Sequence, residues 1–271
     1  MAKREVNETK SAGRVSLLLV LGMVVWFTGL WTVQSLAAES KRIVLAVGAH
    51  AGDMEITAGA VLAKHSRLGD KVTLLHLTLG EEGNPRLSSE DYGKQKRQEA
   101  LAAAAALGAD VFFGPYFDGQ LPDTETSRLF VAEIIRQVKP THLITHWKNS
   151  FHKDHSITHA VVMDAVLMAA LPGVKTESPN HRGIRGIYFA ENWEDEEDFE
   201  PYLLVDVSED LATWEKAVQE YEFIRGGISS FAYLEYYKAL ARVRGLRHGF
   251  SAAVAFDLQA HSKKRTLSNL P

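Results

Sequence analysis

From about residue 41 the chain repeats one pattern: a short apolar run followed by a longer amphipathic stretch. "RIVLAVGA" (42–49), "KVTLLHLTLG" (71–80), "DVFFGP" (110–115) and "THLITHW" (141–147) have the length and β-branched content of buried strands. Between them the spacing predicts helices over about 55–68, 90–108, 126–140 and 155–171. The Ala-rich segment ending at Gly108 carries a natural C-terminal stop, and Pro140 closes the next helix. Further strands are expected near 184–190 and 202–207, and two last helices near 209–224 and 230–244.

Strands that alternate with helices are joined by right-handed crossovers. The pattern therefore predicts an α/β, Rossmann-like fold, with a mainly parallel sheet and helices on both faces. In such sheets ligands bind beyond the carboxyl ends of the strands, which puts the turns at 48–55, 78–86, 115–123 and 146–155 on one rim. There is no internal repeat and no sign of a second domain, so residues 41–271 are expected to form a single domain. "ENWEDEEDFE" (191–200) has seven acidic residues in ten and is expected to be a solvated loop.

Residues 1–40 differ in kind. Lys3, Arg4, Lys10 and Arg14 precede an uncharged run from Val15 to Ala38 that ends in small residues. This describes either a cleaved signal peptide or an N-terminal membrane anchor, long enough to span a bilayer. Under either reading the domain is exported, extracellular or periplasmic, and it meets a membrane only through this segment. A net charge of −4 gives no electrostatic reason to expect nucleic-acid binding. With no cysteine, the chain has no disulfide, thiolate ligand or thiol nucleophile. A transition-metal site must then be built from His, Asp and Glu, a donor set that suits zinc or a similar divalent ion.

Two rim segments supply those residue types. "VGAHAGDMEI" places His50 and Asp53 three residues apart where the first strand gives way to a helix. "THWKNSFHKDHSITH" follows the fourth strand and holds His146, His152, Asp154, His155 and His159. His50, Asp53 and His155 can give zinc two imidazoles and a carboxylate, leaving a position open for water. Zinc lowers the pKa of its water and polarises a carbonyl oxygen. Asp154 can hold His152 in a donor-ready orientation, able to stabilise an oxyanion or protonate a leaving amine. A closed, purely structural metal site is the competing use of the same ligands. Nucleotide binding through "VGAHAGD" is excluded, because the spaced glycines of a phosphate loop are absent.

From about Lys41 to Phe256 the sequence resembles the PIG-L (LmbE-like) zinc de-N-acetylases. The resemblance is carried, in order, by "AHAGDME", "LTLGEEG" (77–83), "RQEALAAAAALG" (97–108), "HKDH" (152–155) and "DVS" (206–208). It implies a zinc-dependent hydrolase that removes an N-acetyl group from an amino sugar or glycoconjugate. His50, Asp53 and His155 would be the metal ligands, His152 and Asp154 the catalytic pair, and Arg97 and Asp118 the residues that grip sugar hydroxyls.

Two positions depart from the family pattern. Where the family has a His-Pro-Asp-Asp run, this chain reads His50-Ala51-Gly52-Asp53, so the acid that serves the family as general base is a glycine. Loss of a positioned base typically costs about 10²–10⁴-fold in rate. Near the C-terminus, Val254 replaces a carboxylate. The alternative reading is therefore a catalytically weak or inactive carbohydrate-binding relative that keeps fold and metal. Glu55, Glu81, Glu82 and Asp154 are the candidate replacement bases, and Glu55 is disfavoured because a helix turns it away from Asp53.

Overall fold

The computed structural model describes residues 41–195 and 197–264; the expected leader over 1–40 lies outside them. In chain order the elements are β1 (Ile43–Gly48), α1 (Asp53–Thr57), α2 (Gly59–Arg67), β2 (Lys71–His76), α3 (Ser89–Leu107), β3 (Asp110–Phe113) and α4 (Glu125–Val138). They continue with β4 (His142–Thr145), α5 (Lys153–Ala170), β5 (Gly186–Ala190), β6 (Leu203–Asp206), α6 (Leu211–Val218), α7 (Tyr233–Leu246) and β7 (Ala253–Leu258).

The strands form one seven-stranded sheet in the order β3-β2-β1-β4-β5-β7-β6. All pairings from β3 through β5 are parallel, while β7 runs antiparallel to both β5 and β6. The fold is thus the expected α/β one. The run "AVAFDL", for which the sequence pattern above predicts no strand, forms β7 and inserts between β5 and β6. Val254 lies on this strand opposite Val205 and packs into the core.

Both faces of the sheet are covered, as the period-2 geometry of a strand requires when every residue is apolar. On β1, Val44 and Ala46 join a core with α2, α6 and α7, whereas Leu45 and Val47 join the opposite core with α4 and α5. Local signals set several boundaries. The Ser88 hydroxyl accepts the Asp91 N–H at 3.1 Å to start α3, and Gly108 ends it with φ 67°. Thr124 and Ser127 form a capping box at the start of α4.

The helix expected over 55–68 is broken at Ala58. The Trp214 indole N–H donates to the carbonyls of Glu55 (2.9 Å) and Ile56 (3.2 Å), which a continuous helix would give to residues 59 and 60. A side chain at Gly59 would meet Trp214 Cδ1 at 2.8 Å, so the indole and the glycine fit each other.

The chain runs from β1 outward to β3, then returns to place β4 on the other side of β1. The order of strands reverses between β1 and β4, so their carboxyl ends open a crevice at that point.

Candidate metal centre

The crevice between the ends of β1 and β4 holds the histidines and acids that the sequence singles out. His50 and Asp53 come from the turn after β1, and His152 and His155 from the N-terminus of α5 after β4. The turn after β1 is tight. Gly52 adopts φ 109°, and Asp53 Oδ2 accepts the His50 N–H at 2.7 Å.

Three donor atoms form a nearly equilateral triangle. His50 Nδ1 lies 3.2 Å from Asp53 Oδ2 and 3.3 Å from His155 Nε2, and His155 Nε2 lies 3.4 Å from Asp53 Oδ2. A tetrahedral ion with bonds of about 2.0–2.1 Å holds its ligand atoms about 3.3–3.4 Å apart. The triangle therefore matches one face of such a tetrahedron, and the two-nitrogen, one-oxygen donor set suits zinc. Burial disfavours charge on His50, yet Asp53, Asp118 and Asp154 outweigh it and raise its pKa well above the ordinary value. A site whose carboxylates pull a proton onto a buried imidazole is one that fits a cation. These residues can hold a metal.

A fourth histidine belongs to the cluster. His146, the first residue after β4, is buried; its Nε2 lies 3.1 Å from Asp53 Oδ2 and its ring stacks on His155 at 4.0 Å. Burial, then the neighbouring His155, lowers its pKa to about 3, which keeps the imidazole neutral. The rim rule put it in the right turn, but no local signal favours it over its neighbours.

Asp118 reaches the site from the turn after β3. Its Oδ1 is 3.1 Å from His50 Nε2, on the far side of the ring from Nδ1, and its Oδ2 accepts the Glu82 N–H. That position suits a carboxylate that orients a ligating histidine more directly than one that grips a sugar hydroxyl. Arg97 is not brought to the site. It sits on the exposed face of α3 with its guanidinium 4.0 Å from the Phe113 ring. The preceding residue, Lys96, points into the crevice instead and is buried there.

The pairing of His152 and Asp154 also differs from expectation. The Asp154 backbone N–H, not its carboxylate, contacts His152, donating to Nδ1 at 3.2 Å as the cap of α5. The carboxylate is fully buried, accepts the Gly119 N–H at 2.7 Å and stands 3.6 Å from His50 Nε2. The outcome for His152 is still donor-ready. Burial and the positive fields of His50 and His155 lower its pKa, and a neutral ring accepting at Nδ1 carries its proton on Nε2.

The remaining walls come from segments that the sequence did not mark. A cavity of about 150 Å³ beside His50, Asp53 and His155 is lined by Asn192, Trp193, Phe223, Tyr233 and Tyr237. The first half of the acidic run, over 191–195, folds against this cavity, while Glu197, Asp198 and Glu200 are exposed, as a solvated loop requires. Glu191 pairs with Arg244, Glu194 lines the cavity 3.9 Å from His155 Nδ1, and burial raises the pKa of Asp195 to about 6. Aromatic faces beside fixed polar groups are suited to holding a ring-shaped polar ligand.

The chain is similar in sequence and fold to known proteins. The profile of the family described as GlcNAc-PI de-N-acetylase (PIG-L) matches residues 45–166. A 1D-myo-inositol 2-acetamido-2-deoxy-alpha-D-glucopyranoside deacetylase of Rhodococcus erythropolis is 31% identical over 205 residues, covering 58% of this chain and 69% of that protein. Deacetylases of the same description from other organisms are matched over about half of their length. A 4-oxalmesaconate hydratase of Pseudomonas putida is 25% identical over 218 residues, covering 76% of this chain and 81% of the hydratase. The crystal structure of a conserved protein from Thermus thermophilus superposes with a TM-score of 0.71 at 27% identity, covering 80% of this chain and 94% of that one. The matched residues span both ligand-bearing turns and the switch point between them: the chain belongs to the PIG-L family, whose related members include deacetylases.

Proposed function

We propose that the protein is a zinc-dependent hydrolase that removes an N-acetyl group from an amino sugar or a related amide. The observation that carries this reading is the 3.2–3.4 Å triangle of His50 Nδ1, Asp53 Oδ2 and His155 Nε2 at the mouth of an aromatic-walled crevice. A zinc ion bound there would polarise the acyl carbonyl and acidify water. Asp118 holds the His50 ring from its other nitrogen, fixing which nitrogen faces the metal. His152, with its proton on Nε2, is placed to donate a hydrogen bond to the oxyanion that develops on the carbonyl oxygen. Trp193, Phe223 and Tyr233 offer apolar faces for a sugar ring and exclude water around it.

The test is acetate release from N-acetylglucosamine and its glycosides by the purified protein with added zinc, alongside metal content. The expected result is about one zinc per chain and acetate release that falls at least 10²-fold in His155→Ala. Equal release by the two proteins would end the hydrolase reading.

Gly52 favours a second reading, a carbohydrate-binding relative that keeps the metal but turns over slowly or not at all. It predicts zinc binding and saturable binding of N-acetylglucosaminides with no acetate release above the His155→Ala background.

We further propose that the domain is exported, on the strength of the basic flank and the uncharged run from Val15 to Ala38. Fractionation of cells expressing the full chain tests this. Recovery of the domain with cytoplasmic proteins alone would overturn it.

A further inference from the structure

Hydrolysis of an amide needs an acceptor for a proton of the attacking water, and position 52 offers none. The nearby acids either hold other partners or lie off the donor triangle, and Glu82 is exposed on the rim. Glu55 is fully buried beneath the site, where it accepts the Tyr221 hydroxyl at 2.6 Å and faces His76 at 3.2 Å. Glu81 accepts the backbone N–H groups of Leu79 and Asp118, and Asp154 that of Gly119. Glu194 stands on the Nδ1 side of His155, the side turned away from the donor triangle.

Beside the Phe223 ring, one titratable group borders the place of the absent acid. The Lys96 Nζ atom lies 3.7 Å from the position a Cβ of residue 52 would take. It reaches there from α3, 4% exposed, and lines the crevice together with His50, Asp53, Asp118 and His152. Its amine donates to the Ala51 carbonyl at 2.5 Å and sits over the rings of Tyr221 (4.6 Å) and Phe223 (4.3 Å). Among the described residues no carboxylate forms an ion pair with it.

We propose that Lys96 is the general base of this site. Its neutral amine takes a proton from the attacking water as the water oxygen bonds to the carbonyl carbon. The ammonium so formed returns a proton to the nitrogen as the carbon–nitrogen bond breaks, leaving a free amine and a carboxylic acid. This rests on the hydrolase reading above.

The surroundings suit that role. Burial lowers the pKa of the amine to about 8, against the opposing fields of Asp53 and Glu55 from α1, Glu99 on its own helix and Asp118 from the turn after β3. An amine of that strength is partly unprotonated near neutral pH. Arginine in its place would stay charged and accept nothing.

The experiment compares wild type, Lys96→Met, Lys96→Arg and Lys96→Cys for acetate release from N-acetylglucosaminides, zinc content and thermal melting. The chain has no other cysteine, so 2-bromoethylamine installs a lysine-like amine at position 96 alone. All three variants should keep zinc and lose about 10²–10⁴-fold in kcat. Aminoethylation of Lys96→Cys should restore turnover, with the acid limb of its pH profile moved to lower pH by the electron-withdrawing sulfur. Retention of kcat within about tenfold in Lys96→Met or Lys96→Arg would overturn the assignment. So would a restored enzyme whose acid limb has not moved. A wild type that binds zinc and releases no acetate instead overturns the hydrolase reading, and the base with it.

Discussion

The Cβ that any residue other than glycine would carry at position 52 lies 3.1 Å from Cζ of Phe223. Gly52 also has φ 109°, in the region that L side chains rarely adopt. Replacing the family's acid is therefore more than one substitution. The backbone conformation and the Phe223 ring both oppose an aspartate there, and the Lys96 amine lies in ordinary contact with its Cβ position.

It follows that Gly52→Asp will not simply install the family's acid in this turn. The variant should lose about 1–3 kcal/mol from the strained φ and the ring contact, lowering the melting temperature by several degrees. Adding Phe223→Ala should relieve the steric part and leave the backbone part. A Gly52→Asp protein that melts with the wild type would show that this turn relaxes freely.

His146 should matter for metal affinity although it lies outside the ligand triangle. Its Nε2 is 3.1 Å from Asp53 Oδ2, the carboxylate corner of that triangle, and its ring supports His155. His146→Ala is expected to weaken zinc binding by about 10–100-fold, read by competition with a chromogenic chelator. An unchanged affinity would reduce His146 to packing.

Arg97 and Asp118 should separate cleanly. Arg97→Ala removes a side chain that stacks on Phe113 outside the crevice, so KM should stay within about twofold. Asp118→Asn weakens the hold on His50 Nε2 and should reduce zinc affinity or kcat/KM by about tenfold or more. The opposite ranking would mean that substrate reaches the outer face of α3.

Away from the site, Glu133 gives a pH signature. Burial acts to raise its pKa, but hydrogen bonds from Ser178, Thr176 and Gln137 prevail and hold it at about 2, below the ordinary 4.5. A carboxyl with a depressed folded pKa stabilises fully above the unfolded value, and that contribution fades as pH falls from 4.5 toward 2. Glu133→Gln should therefore lower the denaturant midpoint at pH 7 and matter progressively less through that window. An equal loss at pH 7 and at the acid end would show that charge is not involved.

Much of the architecture was legible because strand and helix periods are local properties. Apolar runs of strand length between amphipathic stretches specify a parallel sheet, and the crossover rule then says which strand ends share a rim. His50 and Asp53 could be picked because they lie within a few residues of such an end, and His155 because it opens the helix that follows the fourth strand. Arg97 lies away from the donor cluster while its neighbour Lys96 lines the crevice, because adjacent helical residues point about 100° apart. Only the docking of α3 decides that Lys96 faces the crevice and Arg97 the solvent.

Other features depend on residues far apart in the chain. Trp214 breaks the α1–α2 helix by taking two of its carbonyls. The first half of the acidic run, over 191–195, becomes a cleft wall because Arg244 holds Glu191 and burial takes in Asp195. Strand β7 pairs antiparallel between β5 and β6. The sequence alone thus determined the fold class, the rim and the three candidate ligands, because these follow from short-range pattern and connectivity. The tertiary structure decided what stands beside Gly52. Lys96 reaches it from α3 and Phe223 from the segment after α6, and their meeting is a matter of packing in space.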